Sequence, residues 1–118
     1  MKRATPSEHS IQVTVIDYIA KCKTHPDIFA IAIPNAGRRS FQVGARMKAE
    51  GLTAGAADLQ ILLPKGRSAW IELKSAKGTQ TIPQKGFQAR CERLGHPYAV
   101  CKSVLAAIEI LKLWGITR

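Results

Sequence analysis

Near the start of the chain, apolar residues recur at helical spacing. Ile11, Val15 and Ile19 lie four residues apart, and Val13, Ile16 and Ala20 widen the stripe. This pattern predicts a helix over residues 6–22. Thr5 is its candidate N-cap, Pro6 its first helical residue, and Glu8 stands three residues after the cap. A short isoleucine-rich run over 28–33 reads as a buried strand and stops at Pro34-Asn35-Ala36-Gly37. A second helix is expected over 41–50, with Gly51 closing it. Residues 58–63 and 69–74 read as two strands joined by Pro64-Lys65-Gly66-Arg67. A third helix is expected over 81–95, a short strand over 98–101, and a last helix capped by Ser103. In that last helix Val104, Leu105, Ile108, Leu111 and Trp114 hold helical spacing, and Gly115 ends it.

Helices on the two faces of a mixed sheet of about four strands make an α/β sandwich, with the 58–74 hairpin near the middle of the sheet. The 118 residues fit one domain, 1–118, and 46% hydrophobic content is enough for a core. Cys22, Cys91 and Cys101 form no CxxC pair, and their odd number argues for reduced thiols used as small core residues. The first ten residues carry no apolar leader, and no apolar run approaches the ~20 residues of a membrane span, so a cytoplasmic protein is expected. Eighteen Lys and Arg against eight Asp and Glu give a net charge of +10. So strong a positive field favours polyanionic partners, nucleic acid first and an anionic membrane surface second.

The few acids lie where they change that picture. Alternation along a strand places Trp70, Glu72 and Lys74 on one face, with Glu72 and Lys74 about 7 Å apart at Cα. Asp58 opens the partner strand. A two- or four-residue loop centred on Lys65-Gly66 would oppose Asp58 to Leu73, on the wrong face. Asp58 joins the Glu72 and Lys74 side only if the loop is odd in length or a bulge intervenes near Gly66. Two carboxylates and a backbone carbonyl are hard oxygen ligands suited to Mg²⁺ or Mn²⁺, and a lysine beside them suits phosphodiester hydrolysis.

Gly55-Ala56-Ala57-Asp58-Leu59 followed by Ile71-Glu72-Leu73-Lys74 resembles the signature of the PD-(D/E)xK nucleases. The rest of the chain resembles one branch of them, the virus-type replication-repair nuclease (VRR-NUC) domain. Its marks here are Glu8 and Gln12 on the first helix, Pro34-Asn35, the Gly51–Gly55 loop, Gln84, Tyr98-Ala99-Val100, and the helix after Ser103. Ala57 stands where this fold usually has proline. The resemblance implies a restriction-endonuclease-like core. It implies metal ligation by Glu8, Asp58, Glu72 and the Leu73 carbonyl, catalysis by Lys74, and a water-positioning role for Gln84. It further implies branched DNA as substrate, with a homodimer that resolves four-way (Holliday) junctions. A flap or restriction-like nuclease and a non-cleaving DNA-binding module are the alternatives. Glu8 and Gln84 each have a second reading, because Thr5-x-x-Glu8 and Thr81-x-x-Gln84 are both capping boxes. Arg38, Arg39, Arg46, Lys48, Lys77 and Lys85 are the candidate phosphate contacts, which position nucleic acid without reading its sequence.

Overall fold

A computed structural model describes residues 5–34 and 41–118, and for Phe41 and Gln42 the backbone alone. Arg38, Arg39 and Asn35 lie outside the described residues. The elements are α1 (Glu8–Cys22), β1 (Phe29–Ala32), α2 (Phe41–Ala49), β2 (Leu59–Leu62), β3 (Ser68–Leu73), α3 (Ile82–Arg93), β4 (Tyr98–Cys101) and α4 (Val104–Leu113), with a 3₁₀ turn at Pro64–Gly66 between β2 and β3. The sheet has the order β1-β2-β3-β4. Its first two pairings are antiparallel and the β3–β4 pairing is parallel.

The apolar positions explain the layering. Leu59 and Ile61 of β2, with Ala69, Ile71 and Leu73 of β3, point to one face, where Ile11, Val15 and Ile19 of α1 and Ala107 and Leu111 of α4 meet them. All ten are buried. At about 25 cal/mol per Å² of apolar surface, this layer is the principal source of stability. The opposite face carries Trp70, Glu72 and Tyr98 and is covered by α3. Phe87 stands edge-on to Trp70 at 5.1 Å and tilted against Tyr98 at 6.2 Å. Cys91 and Cys101 are buried as core residues, and burial pushes the Cys101 thiol up to about 11.

Three expectations change. The hydroxyl that caps α1 is that of Ser7, which accepts from the Ser10 amide, so Thr5 is not the cap and Glu8 is the first helical residue. Strand β1 is shorter than expected and lies at the sheet edge. Phe29, at the start of this edge strand, is 51% exposed. Val13 also leaves the expected stripe and is exposed.

The β2–β3 hairpin decides the site. Leu62 faces Ser68, so the loop spans five residues, Leu63 to Arg67, an odd number. Lys65 (φ 65°) and Gly66 (φ 71°) both take left-handed backbone to close it. No bulge is needed.

Candidate functional site

In this register Leu59 faces Ile71, so Asp58, one step further on, comes opposite Glu72. The ladder does not continue past that point. The Leu63 amide donates to the Arg67 carbonyl, and hydrogen-bonded pairs alternate along an antiparallel ladder, so Leu73 would next pair with Ala57. The Leu73 N–H goes instead to Asp58 Oδ2, at 2.6 Å. The strands part here, and the Asp58 carboxylate takes the place of main chain at the opening. On its other side the Asp58 carbonyl accepts from the Ile33 amide at 2.8 Å, which holds the residue to the end of β1.

Glu72 is fully buried. Its Oε1 accepts from the Tyr98 hydroxyl at 2.6 Å and from the Gln80 side-chain amide at 3.3 Å. Gln80 Nε2 also donates to Gln88 Oε1 at 2.8 Å, so the amide is fixed from α3. Glu72 Oε2 has no hydrogen-bond partner among the described residues. A buried carboxylate oxygen left bare is costly, and it is the kind of atom a cation would satisfy. Burial, and next the bond to Glu72, push the Tyr98 phenol far above its ordinary acidity, so it stays a protonated donor. Burial raises the Asp58 carboxyl above its ordinary value. The Leu73 N–H opposes this, the charges of Glu8 and Glu72 add to it, and Lys74 opposes it.

Lys74 follows on the Glu72 face, and its chain lies against Gly78 in the turn after β3. It makes no ion pair among the described residues, whose salt bridges are Lys21–Asp17 and Arg46–Glu50. Glu8, at the N-terminus of α1, acts on Asp58 through its charge. It makes no capping bond to Thr5. Among the described residues no three His, Cys, Asp or Glu side chains stand close enough to hold a metal ion, so the expected Glu8, Asp58 and Glu72 cluster is not drawn together.

Gln84 takes its capping role. Its Oε1 accepts from the Thr81 amide at 2.8 Å, and its own amide donates to Thr81 Oγ1 at 3.3 Å. It still lines a shallow cavity of about 260 Å³ with Asp58, Pro34, Ala56 and Thr81. The glutamine that touches Glu72 is Gln80, in the loop before α3, where no periodicity singles it out. Tyr98 could have been found only from the β3–β4 register. Gly55, at φ +81°, packs so tightly on the backbone of Pro83 and Gln84 that a Cβ would collide with it, which fixes the loop before Asp58 against the start of α3. Of the candidate phosphate contacts, Lys48, Lys77 and Lys85 are exposed, and Arg46 is exposed beside Glu50 at 3.3 Å. Among the described residues no helix is long and apolar enough to cross a membrane.

No protein-family model and no curated protein matches the sequence. Solved structures are similar to it, two of them as follows. One, titled "VRR_NUC domain protein", has a TM-score of 0.77 at 20% identity, covering 98% of this chain and 98% of that one. The other, titled "VRR_NUC domain", has a TM-score of 0.63 at 18% identity, covering 92% of this chain and 97% of that one. The fold of the chain is therefore the restriction-endonuclease-like architecture of these VRR_NUC structures, an open mixed sheet between helices.

Proposed function

We propose that the chain is a divalent-metal-dependent endonuclease that hydrolyses phosphodiester bonds in branched DNA. In this reading it resolves four-way junctions as a homodimer. The observation that carries it is the buried Glu72 carboxylate, with Oε1 held by Tyr98 and Gln80, opposite Asp58 and beside Lys74; among the described residues neither Oε2 nor the Lys74 ammonium has a hydrogen-bond or ion-pair partner. The VRR_NUC domain named in the titles of the two similar structures supports a nuclease reading.

The donor set fits a hard cation. Glu72 Oε2, Asp58 and the Leu73 carbonyl would hold Mg²⁺ or Mn²⁺, and Glu8, which stands apart from them at the start of α1, would complete the set only if the bound metal drew its carboxylate in. When bound, the metal polarises the scissile phosphate and offsets the charge that develops on it. The chain's own residues do the rest. Tyr98 and Gln80 keep one oxygen of Glu72 occupied and aim the other. The Leu73 N–H fixes Asp58. Lys74, which makes no ion pair among the described residues, would orient the attacking water and stabilise negative charge on the phosphate oxygens. The net charge of +10 draws the polyanion in, and a two-fold pair of sites suits a junction with two equivalent strands to cut.

The test is a cleavage panel of four-way junctions, flaps and linear duplexes with Mg²⁺ or Mn²⁺, run on the native protein, Glu72→Gln and Lys74→Ala. Expected are junction cutting by the native protein, loss of cutting by roughly two orders of magnitude or more in each variant, and junction binding retained by Glu72→Gln. Linear duplex cut as readily as junctions would overturn the junction preference. Undiminished cutting by Glu72→Gln would overturn the site.

A further inference from the structure

The cavity at Asp58 does not end at α3. A second depression, of about 410 Å³, adjoins it and shares Thr53, Ala54 and Pro83 as a common wall. It continues down the outer side of α3 past Gly86 to Arg90 and Arg93.

Three features make this second depression more than a basic surface. Arg90 and Arg93 are exposed, three residues apart on one helix face, and neither is in an ion pair among the described residues. The one acid of α3, Glu92, lines a different depression with His96 and Tyr98, so the groove wall holds arginine and no carboxylate. Gly86 sits mid-helix with open space where a Cβ would stand, so packing does not call for glycine there. Glycine costs a helix interior about 1 kcal/mol relative to alanine, and what it provides here is a low floor between Pro83 and the two arginines.

We infer that this groove is a phosphate track. One strand of the nucleic acid runs from the Asp58–Glu72 opening along α3, and Arg90 and Arg93 clasp its backbone. The inference rests on the nuclease reading for its occupant. Charge complementarity and continuity with the Asp58 cavity select a polyanionic backbone. The guanidinium fork matches phosphate bidentately, which a lysine cannot do. From Pro83 to Arg93 the helix rises about 15 Å, the axial length of about four nucleotides of a B-form strand. The track therefore holds the strand a few nucleotides from the scissile phosphate, fixing its direction without reading its sequence.

The test is binding of a fluorescent four-way DNA junction, with Ca²⁺ in place of Mg²⁺ or Mn²⁺, over a series of salt concentrations. The proteins compared are the native chain, Arg90→Gln with Arg93→Gln, Gly86→Leu, and Lys112→Gln with Arg118→Gln as a control of equal charge loss elsewhere. Thermal melts confirm that each is folded. The arginine pair is expected to weaken binding about tenfold or more and to flatten the salt dependence by one to two ion equivalents. Gly86→Leu removes no charge, so it should weaken binding by obstruction and leave the salt slope unchanged. Native-like binding by the arginine pair, or an equal loss in the control, overturns the track. Native protein that binds junctions through Arg90 and Arg93 but cuts nothing with Mg²⁺ or Mn²⁺ sinks the nuclease reading and leaves the track standing. Cutting with binding indifferent to the arginines does the reverse.

Discussion

Tyr98→Phe is the most direct probe of how the fold presents Glu72. The substitution removes one oxygen and leaves the ring against Phe87, at 6.2 Å between centroids. What is lost is the 2.6 Å bond to Glu72 Oε1. A hydrogen bond to a charged group contributes about 1.5–3 kcal/mol. The remaining donor, Gln80 at 3.3 Å, is long and shared with Gln88, so it replaces little of that. With a urea m-value of about 2 kcal/mol/M, a loss of about 2 kcal/mol lowers the midpoint by about 1 M. Unfolding of the metal-free protein in EDTA at neutral pH measures this. Because the same bond aims Oε2, Mn²⁺ affinity should fall about 10- to 100-fold, as for other partners that orient a metal ligand. In a Glu72→Gln background the acceptor is neutral and the effect of Tyr98→Phe should shrink by half or more. A midpoint unchanged to within about 0.25 M, with Mn²⁺ affinity also unchanged, would refute the view that Tyr98 holds the carboxylate.

Gly55→Ala places a Cβ against the Pro83 and Gln84 backbone at φ +81°. It should destabilise the fold by about 1–3 kcal/mol, read by thermal or urea unfolding, whereas Gly86→Ala, with open space at its Cβ, should stabilise α3 slightly. Asp58→Asn should melt above the native protein in EDTA at pH 7. Burial chiefly, and the Glu8 and Glu72 charges with it, hold the Asp58 carboxyl above its ordinary 3.8. The folded state therefore binds that proton more tightly than the unfolded chain, and stability falls as pH rises from about 3.8 through the raised value. Asparagine keeps an acceptor for the Leu73 N–H and carries no charge, so its advantage should fade as pH is lowered toward 4. A lower melting point for Asp58→Asn at pH 7 would contradict the assignment.

Much of this arrangement could be read from residue order, and the parts that could not share a physical reason. Element types followed from period, and helix ends from caps at Thr81 and Ser103. The α1 cap was misplaced because Thr5 and Ser7 are both hydroxyls ahead of the same apolar stripe, and only the backbone path chooses between them. The face shared by Asp58 and Glu72 depended on loop parity, which Pro64-Lys65-Gly66-Arg67 leaves open until Leu63 is seen to leave the strand. Alternation put Glu72 opposite to the core face but could not say whether water or α3 covered it. Gln84, the glutamine the sequence points to, lines the cavity with Asp58, and Gln80, one turn of chain before it, is the one that touches Glu72. Gln84 carries a recognisable capping pattern, whereas Gln80 reaches Glu72 only through a tertiary approach.

The two faces of the sheet follow different rules, and the difference locates the chemistry. Against α1 and α4 the strands present only apolar side chains, and local pattern and packing agree. Against α3 the same strands bury a carboxylate, at a cost of several kcal/mol that its two donors on Oε1 only partly offset. A leucine at position 72 would fill that space without desolvating a charge. Beside it the β2–β3 ladder gives up a main-chain pair to Asp58, and Gly55 is held in a conformation other residues avoid. The buried carboxylate and the diverted ladder bond stand side by side at the end of β3, beside the loop that Gly55 holds against α3. Such conflicts persist where function requires them. Here they converge on Glu72 Oε2, which has no hydrogen-bond partner among the described residues and is the atom a bound cation would satisfy.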